Sequence, residues 1–174
     1  MHHPRILAAR ELYANEWVSL VEKDVEMQPG SVLQYYTLVV PDYVAIFAET
    51  TSGKVPVIRQ YRPAIESYTW ELPAGTLEKG EDPLQCCVRE LKEEAGLDAL
   101  SVEYLGASAS DAGRLMNRQH IFRVKASEPS EKFIPEPGTE VRCISHDELR
   151  QLIHSGAFPH QLHLAVLFRC GFTL

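Results

Sequence analysis

Between Asp82 and Gly96 the chain specifies a helix at both ends and lays an acidic stripe along it. Asp82 suits the N-cap, Pro83 suits a first helical position that needs no N–H donor, and Gly96 suits the left-handed stop. At about 100° per residue, Leu84, Cys87, Val88, Leu91 and Ala95 gather on one side, the expected buried face. Glu90, Glu93 and Glu94 gather on another, with Glu90 and Glu94 one turn apart. Like charges at that spacing cost a few tenths of a kcal/mol, so a helix built for stability alone alternates its signs. A divalent cation removes the repulsion and turns clustered carboxylates into the hard oxygen ligands Mg²⁺ prefers. Taken alone, three glutamates read more readily as a solvated acidic face.

Upstream, residues 17–26, 32–40, 44–49 and 55–61 read as strands divided by Pro29-Gly30, Pro41-Asp42 and Ser52-Gly53. A short strand near 68–72 runs into a Pro73-Ala74-Gly75 loop. Downstream, strands are expected near 100–107, 119–124 and 141–144, with a mobile loop rich in Pro, Glu and Ser at 126–138. Ser145 and Glu148 form a capping box for a further helix, and a last helix covers about 161–169. Strands with one helix among them and helices at the end predict an α/β sandwich.

Composition narrows the function classes. The formal charge of −7 and scattered Lys and Arg disfavour a nucleic-acid partner, whereas a small phosphate ester still suits an acidic site if a cation mediates. The apolar run near residues 39–47 is broken by Pro41 and Asp42, so no membrane span is expected, nor a signal peptide at the start. Cys86, Cys87, Cys143 and Cys170 contain no C-x-x-C pair and read as free thiols in a reducing cytoplasm.

The segment 75–97, GTLEKGEDPLQCCVRELKEEAGL, fits the Nudix box at Gly75, Glu81, Arg89, Glu90, Leu91, Glu93, Glu94, Gly96 and Leu97. Nine fixed positions in 23 residues do not align by chance, and the chain resembles the Nudix hydrolases. Residues 55–61 with Arg62, followed by Trp70-Glu71-Leu72-Pro73-Ala74-Gly75, resemble the lead-in of the ADP-ribose pyrophosphatase branch. The resemblance implies an α/β/α sandwich with a mixed sheet. An N-terminal antiparallel strand region at 1–40 would serve dimerisation and base binding, ahead of a hydrolase domain at 41–174.

It also implies roles. Glu90, Glu94 and the Ala74 carbonyl would hold Mg²⁺, with Mn²⁺ as the alternative ion, and Glu93 a further ion directly or through water. Arg89 would orient a glutamate, and Glu81 would brace the loop. Glu140, with Glu136 as runner-up, would be the general base that activates water. Arg62 would bind phosphate, Gln60 beside it would contact the substrate, and Trp17 and Tyr35 would sandwich adenine in a homodimer. His160 and His163 lack the usual zinc spacing and read as capping or surface residues.

The pattern breaks at Ser110-Asp111-Ala112-Gly113-Arg114, where the branch has Ser-Pro-Gly, and at Asn117, where it has a glutamate. The leading expectation is hydrolysis of ADP-ribose or another ADP-sugar to AMP and a sugar phosphate. The alternatives are a hydrolase of other nucleoside-diphosphate sugars or dinucleotides, and a nucleotide-sensing domain without turnover.

Overall fold

The computed structural model describes residues 3–174. The strands are β1 (Arg5–Ala14), β2 (Ser19–Gln28), β3 (Ser31–Val39), β4 (Tyr43–Thr50), β5 (Val55–Arg62), β6 (Ser67–Glu71), β7 (Ala74–Thr76), β8 (Ala99–Ala109), β9 (Arg118–Ala126) and β10 (Glu140–Ile144). The helices are α1 (Pro83–Ala95), α2 (His146–His154) and α3 (Gln161–Arg169). The chain divides into two compact units, one reaching to Asp42 and taking in Ala109–Arg118, the other made of Tyr43–Ser108 and Gln119–Leu174.

The larger unit is built around β4. Its sheet runs β7-β4-β9-β8, with β4 parallel to β9 and antiparallel to β7. Val44, Ile46 and Ala48 point to one side, against Cys86, Cys87, Leu91 and Ala95 of α1. Ala45 and Phe47 point to the other, into a core shared with Leu149 of α2 and Val166 and Leu167 of α3. A strand buried on both faces must be apolar at every position, and VAIFA is. The result is the α/β/α sandwich with a mixed sheet. A second sheet, β10-β5-β6, is antiparallel throughout.

The helix signals translate into structure. Asp82 accepts the Leu84 N–H at 2.9 Å, and Gly96 adopts φ 67°, closing α1 with N–H bonds to Leu91 and Lys92. Both halves of the Ser145/Glu148 capping box form at α2. Of the face expected to be buried on α1, Cys87, Leu91 and Ala95 are buried, but its two flanking residues are not. Leu84 and Val88 are 49% and 43% exposed, whereas Cys86 is fully buried. The inward side is centred on Cys87, Glu90 and Glu94, because polar partners wait there for the two carboxylates. Ala74 and Gly75, expected in a loop, belong to β7.

The smaller unit is an antiparallel sheet, β1-β2-β3, with Arg5 opposite Glu26, Ala14 opposite Ser19 and Ser19 opposite Val39. This is the antiparallel strand region expected at the N-terminus, although β1 itself falls outside the strands read from residues 17 onward, and all ten of its residues are exposed. Ala109–Arg118 joins this sheet: Leu38 N–H donates to Arg114 O at 2.8 Å and Met116 N–H to Leu38 O at 3.0 Å. Among the described residues no helix is long and apolar enough to cross a membrane.

Candidate active site

The stretch 72–75, which links β6 to β7, is pinned at successive points. Leu72 N–H donates to His163 Nδ1 at 3.1 Å, Pro73 O accepts from Ile46 N–H at 2.9 Å, and Ala74 N–H donates to Glu94 Oε2 at 2.8 Å. Gly75 then lies flat on Glu90. A Cβ at Gly75 would stand 1.8 Å from the Glu90 carboxyl carbon, so any side chain there displaces that carboxylate. Local packing therefore brings Ala74, Gly75, Glu90 and Glu94 together, as the motif implies.

Arg89 ties the remaining acids to this face. Its guanidinium donates to both oxygens of Glu81 at 2.9 Å, to Glu90 Oε1 at 2.7 Å and to Glu93 Oε2 at 3.0 Å. The Arg89 hydrogen bonds hold Glu81 down to about 2. Glu93 is exposed and Glu90 buried. Burial raises the Glu90 carboxyl, and burial pushes Glu94 up to about 8 despite the Ala74 N–H.

Glu90 Oε2 and Glu94 Oε1 have no hydrogen-bond partner among the described residues. Two desolvated carboxylates one turn apart, each keeping one oxygen clear of Arg89 and the Ala74 N–H, can together offer those oxygens to a cation. The donors are all oxygen, which fits a hard divalent ion such as Mg²⁺.

The loop at residues 127–139 is anchored at the C-terminal end of α1. Ser130 N–H donates to Gly96 O at 3.2 Å, and the Phe133 ring covers Gly96 so closely that a Cβ there would meet it at 2.3 Å. The charge of exposed Glu136 on this loop acts on the Glu94 carboxyl and raises it further. Glu140 opens β10 opposite Arg59 and ion-pairs with Arg59 at 3.7 Å and Arg142 at 2.5 Å.

Arg62, at the end of β5, forks onto Glu71, Nε to Oε1 at 2.8 Å and Nη2 to Oε2 at 2.5 Å. Its charge also acts on Glu94. Thr69 Oγ1 donates to the same Glu71 carboxylate. Burial pushes Glu71 up, but Arg62 and Thr69 outweigh it and leave the carboxyl below its ordinary value. Gln60 lies two residues before Arg62, opposite Thr69 and half-buried.

Glu71, Thr69 and His163 were absent from the expected site. A glutamate in the otherwise apolar end of β6 was the available signal, because an acid is buried only when paired. His163 is a core residue rather than a surface one, stacked on His160 at 4.0 Å. Glu71, His160 and His163 bring ligand atoms within 4.8 Å of one another. That cluster already has its cation: both Glu71 oxygens are engaged by Arg62, and His163 Nδ1 is taken by Leu72.

Trp17 and Tyr35 belong to the smaller unit. Trp17 is 71% exposed in the turn after β1, its N–H on Asn15 Oδ1 at 2.8 Å. Tyr35 donates its hydroxyl to Gly113 O, inside the segment where the branch pattern breaks, and Arg114 lies over its ring at 5.7 Å. A hollow of about 380 Å³ opens beside it, lined by Lys23, Leu33, Ala112 and Met116 among others. Asn117 is buried and donates to Pro41 O at 3.1 Å, a tie within this unit.

The NUDIX domain family model matches residues 40–164, most of the chain and the whole of the acidic helix with its loop. The chain belongs to the Nudix family. This Nudix hydrolase is 27% identical over 154 residues to an ADP-ribose pyrophosphatase of Bacillus subtilis, covering 87% of the chain and 83% of that relative. It is 32% identical over 121 residues to a methanol dehydrogenase activator of Bacillus methanolicus, covering 70% of the chain and 65% of that protein. A crystal structure of an ADP compounds hydrolase superposes with a TM-score of 0.80 at 19% identity, covering 98% of this chain and 94% of that one, which establishes a shared fold.

Proposed function

We propose that this Nudix hydrolase cleaves the diphosphate bond of ADP-ribose or a related ADP-sugar with Mg²⁺, giving AMP and a sugar phosphate. The observation that carries the reading is the half-desolvated Glu90–Glu94 pair, held against Ala74 and Gly75 with an oxygen spare on each. The Bacillus subtilis relative, similar over most of both chains, supports the substrate class.

Glu90, Glu94 and the Ala74 carbonyl would hold the ion, and Glu93, exposed at the edge, a second one through water. Bound there, Mg²⁺ supplies charge neutralisation on the diphosphate oxygens and a more acidic attacking water. Arg89 keeps Glu81, Glu90 and Glu93 in register, while Arg62 would meet the phosphates and Gln60 the substrate beside it. Of the two loop acids, Glu136 is the better placed to take the water proton, since its charge already reaches Glu94 while Glu140 is engaged by Arg59 and Arg142. Trp17 and Tyr35 offer rings for the adenine. The exposed apolar residues Ile6, Leu7, Leu12 and Tyr13 of β1 make that strand the proposed face of a homodimer.

A second reading, another nucleoside-diphosphate sugar, is favoured by Ala112, which replaces the branch's proline in the segment that holds Tyr35. The test is product release with Mg²⁺ from ADP-ribose, ADP-glucose, UDP-glucose, GDP-mannose, NADH and diadenosine polyphosphates. Preference for an ADP-sugar upholds the proposal, and preference for a uridine or guanosine sugar replaces it. Nucleotide binding without turnover of any of them makes the domain a sensor.

A further inference from the structure

We propose that Glu71, braced by Thr69 and backed by His163, is a positioning residue that fixes the Arg62 guanidinium for the diphosphate. The proposal deepens the reading above and rests on its assignment of Arg62 to phosphate. Arg62 is the last residue of β5, followed at once by the 3₁₀ turn Pro63–Ile65, where nothing in the strand ladder orders a long side chain. Left free, it would lose much rotamer entropy on meeting an anion.

Glu71 removes that freedom beforehand. Its carboxylate is fully buried, an arrangement that persists only when the charge is matched, and a two-point fork matches guanidinium geometry. The fork uses Nε and Nη2. Nη1 makes no hydrogen bond among the described residues, and the side chain stays 42% exposed, so a donor remains for a ligand.

Behind Glu71 the support continues. Leu72 N–H donates to His163 Nδ1, and burial holds that imidazole down to about 3, neutral and able to accept. His160, the N-cap residue of α3, stacks on it at 4.0 Å. The first turn of α3 thus fixes the end of β6, the end of β6 fixes the carboxylate, and the carboxylate fixes Arg62.

The experiment is a double-mutant cycle with Arg62→Met and Glu71→Gln, assayed on the best substrate of the panel and checked by thermal melts. The expected result is a loss of kcat/KM on the order of 10-fold or more for Glu71→Gln alone. In the Arg62→Met background the same change should cost less than about twofold, because nothing is left to position. The double variant should also melt above Arg62→Met, which strands a buried carboxylate without its partner. Equal losses in both backgrounds, or no loss for Glu71→Gln in a folded protein, would overturn the proposal. A wild-type rate in Arg62→Met points elsewhere: it removes Arg62 from the phosphate site, and the inference falls with that assignment.

Discussion

Helix α1 and strand β1 are both short segments of mixed apolar and charged residues, and they solve opposite problems. Along α1 two charges turn inward: Glu90 is buried, Glu94 half-buried, and Leu84 and Val88 are left in solvent. Along β1 nothing turns inward, and Ile6, Leu7, Leu12 and Tyr13 stand exposed beside Arg5, Arg10 and Glu11. An enzyme accepts buried acids only where a cation returns the electrostatic cost, and exposed aliphatics in quantity only where something covers them. The first anomaly marks the proposed chemistry and the second the proposed assembly.

Gly75→Ala is the harshest test of the inward face. Its methyl group cannot coexist with the Glu90 carboxylate, so turnover should fall by roughly 10²-fold or more while circular dichroism stays helical. An alanine variant at wild-type rate would mean the Gly75–Glu90 contact has no part in the reaction. Next in size, Glu136→Gln should lower kcat by about 10²-fold, and Glu140→Gln by only a few-fold. The reverse order would return the base to Glu140.

The pH dependence sharpens the same contrast. In the metal-free protein, burial raises the Glu94 carboxyl to about 8 from 4.5, so the folded state holds that proton more tightly than the unfolded chain. Its contribution to stability is therefore lost as pH rises through that window. The difference in melting temperature between wild type and Glu94→Gln should shift in favour of the variant as pH rises from 4.5 to 8, and saturating Mg²⁺ should erase that advantage. A difference independent of pH would show Glu94 ionising like a surface acid.

On the outward strand, Leu7→Glu and Leu12→Glu together should shift the sedimentation of the proposed dimer to that of a monomer. Unchanged sedimentation would leave β1 without the assigned partner. Smallest of all, Asp82→Ala should cost about 1 kcal/mol by releasing the Leu84 N–H cap.

Legibility in the sequence followed the same division. The limits of α1, the start of α2 and the apolar strand β4 are readable because caps and two-sided burial constrain residue type directly. Strand β1 is not, since an all-exposed strand has no alternation to show. On α1 the apolar pattern locates Cys87, Leu91 and Ala95 in the core but not the turn of the buried side toward Cys86 and Glu90, because hydrophobicity alone cannot reveal that Gly75 and Ala74 meet carboxylates there. Glu71 and His163 escaped for a related reason: their partners lie 9 and 91 positions away along the chain, in Arg62 and Leu72.

The most direct test of the central claim is AMP release from ADP-ribose in Mg²⁺ by wild type and Glu94→Gln, each confirmed folded by circular dichroism. We expect turnover by wild type that chelation abolishes, and a loss of roughly 10²- to 10³-fold in the variant. Equal rates in the two proteins would contradict the assignment of the Glu90–Glu94 face as the metal-bearing catalytic site.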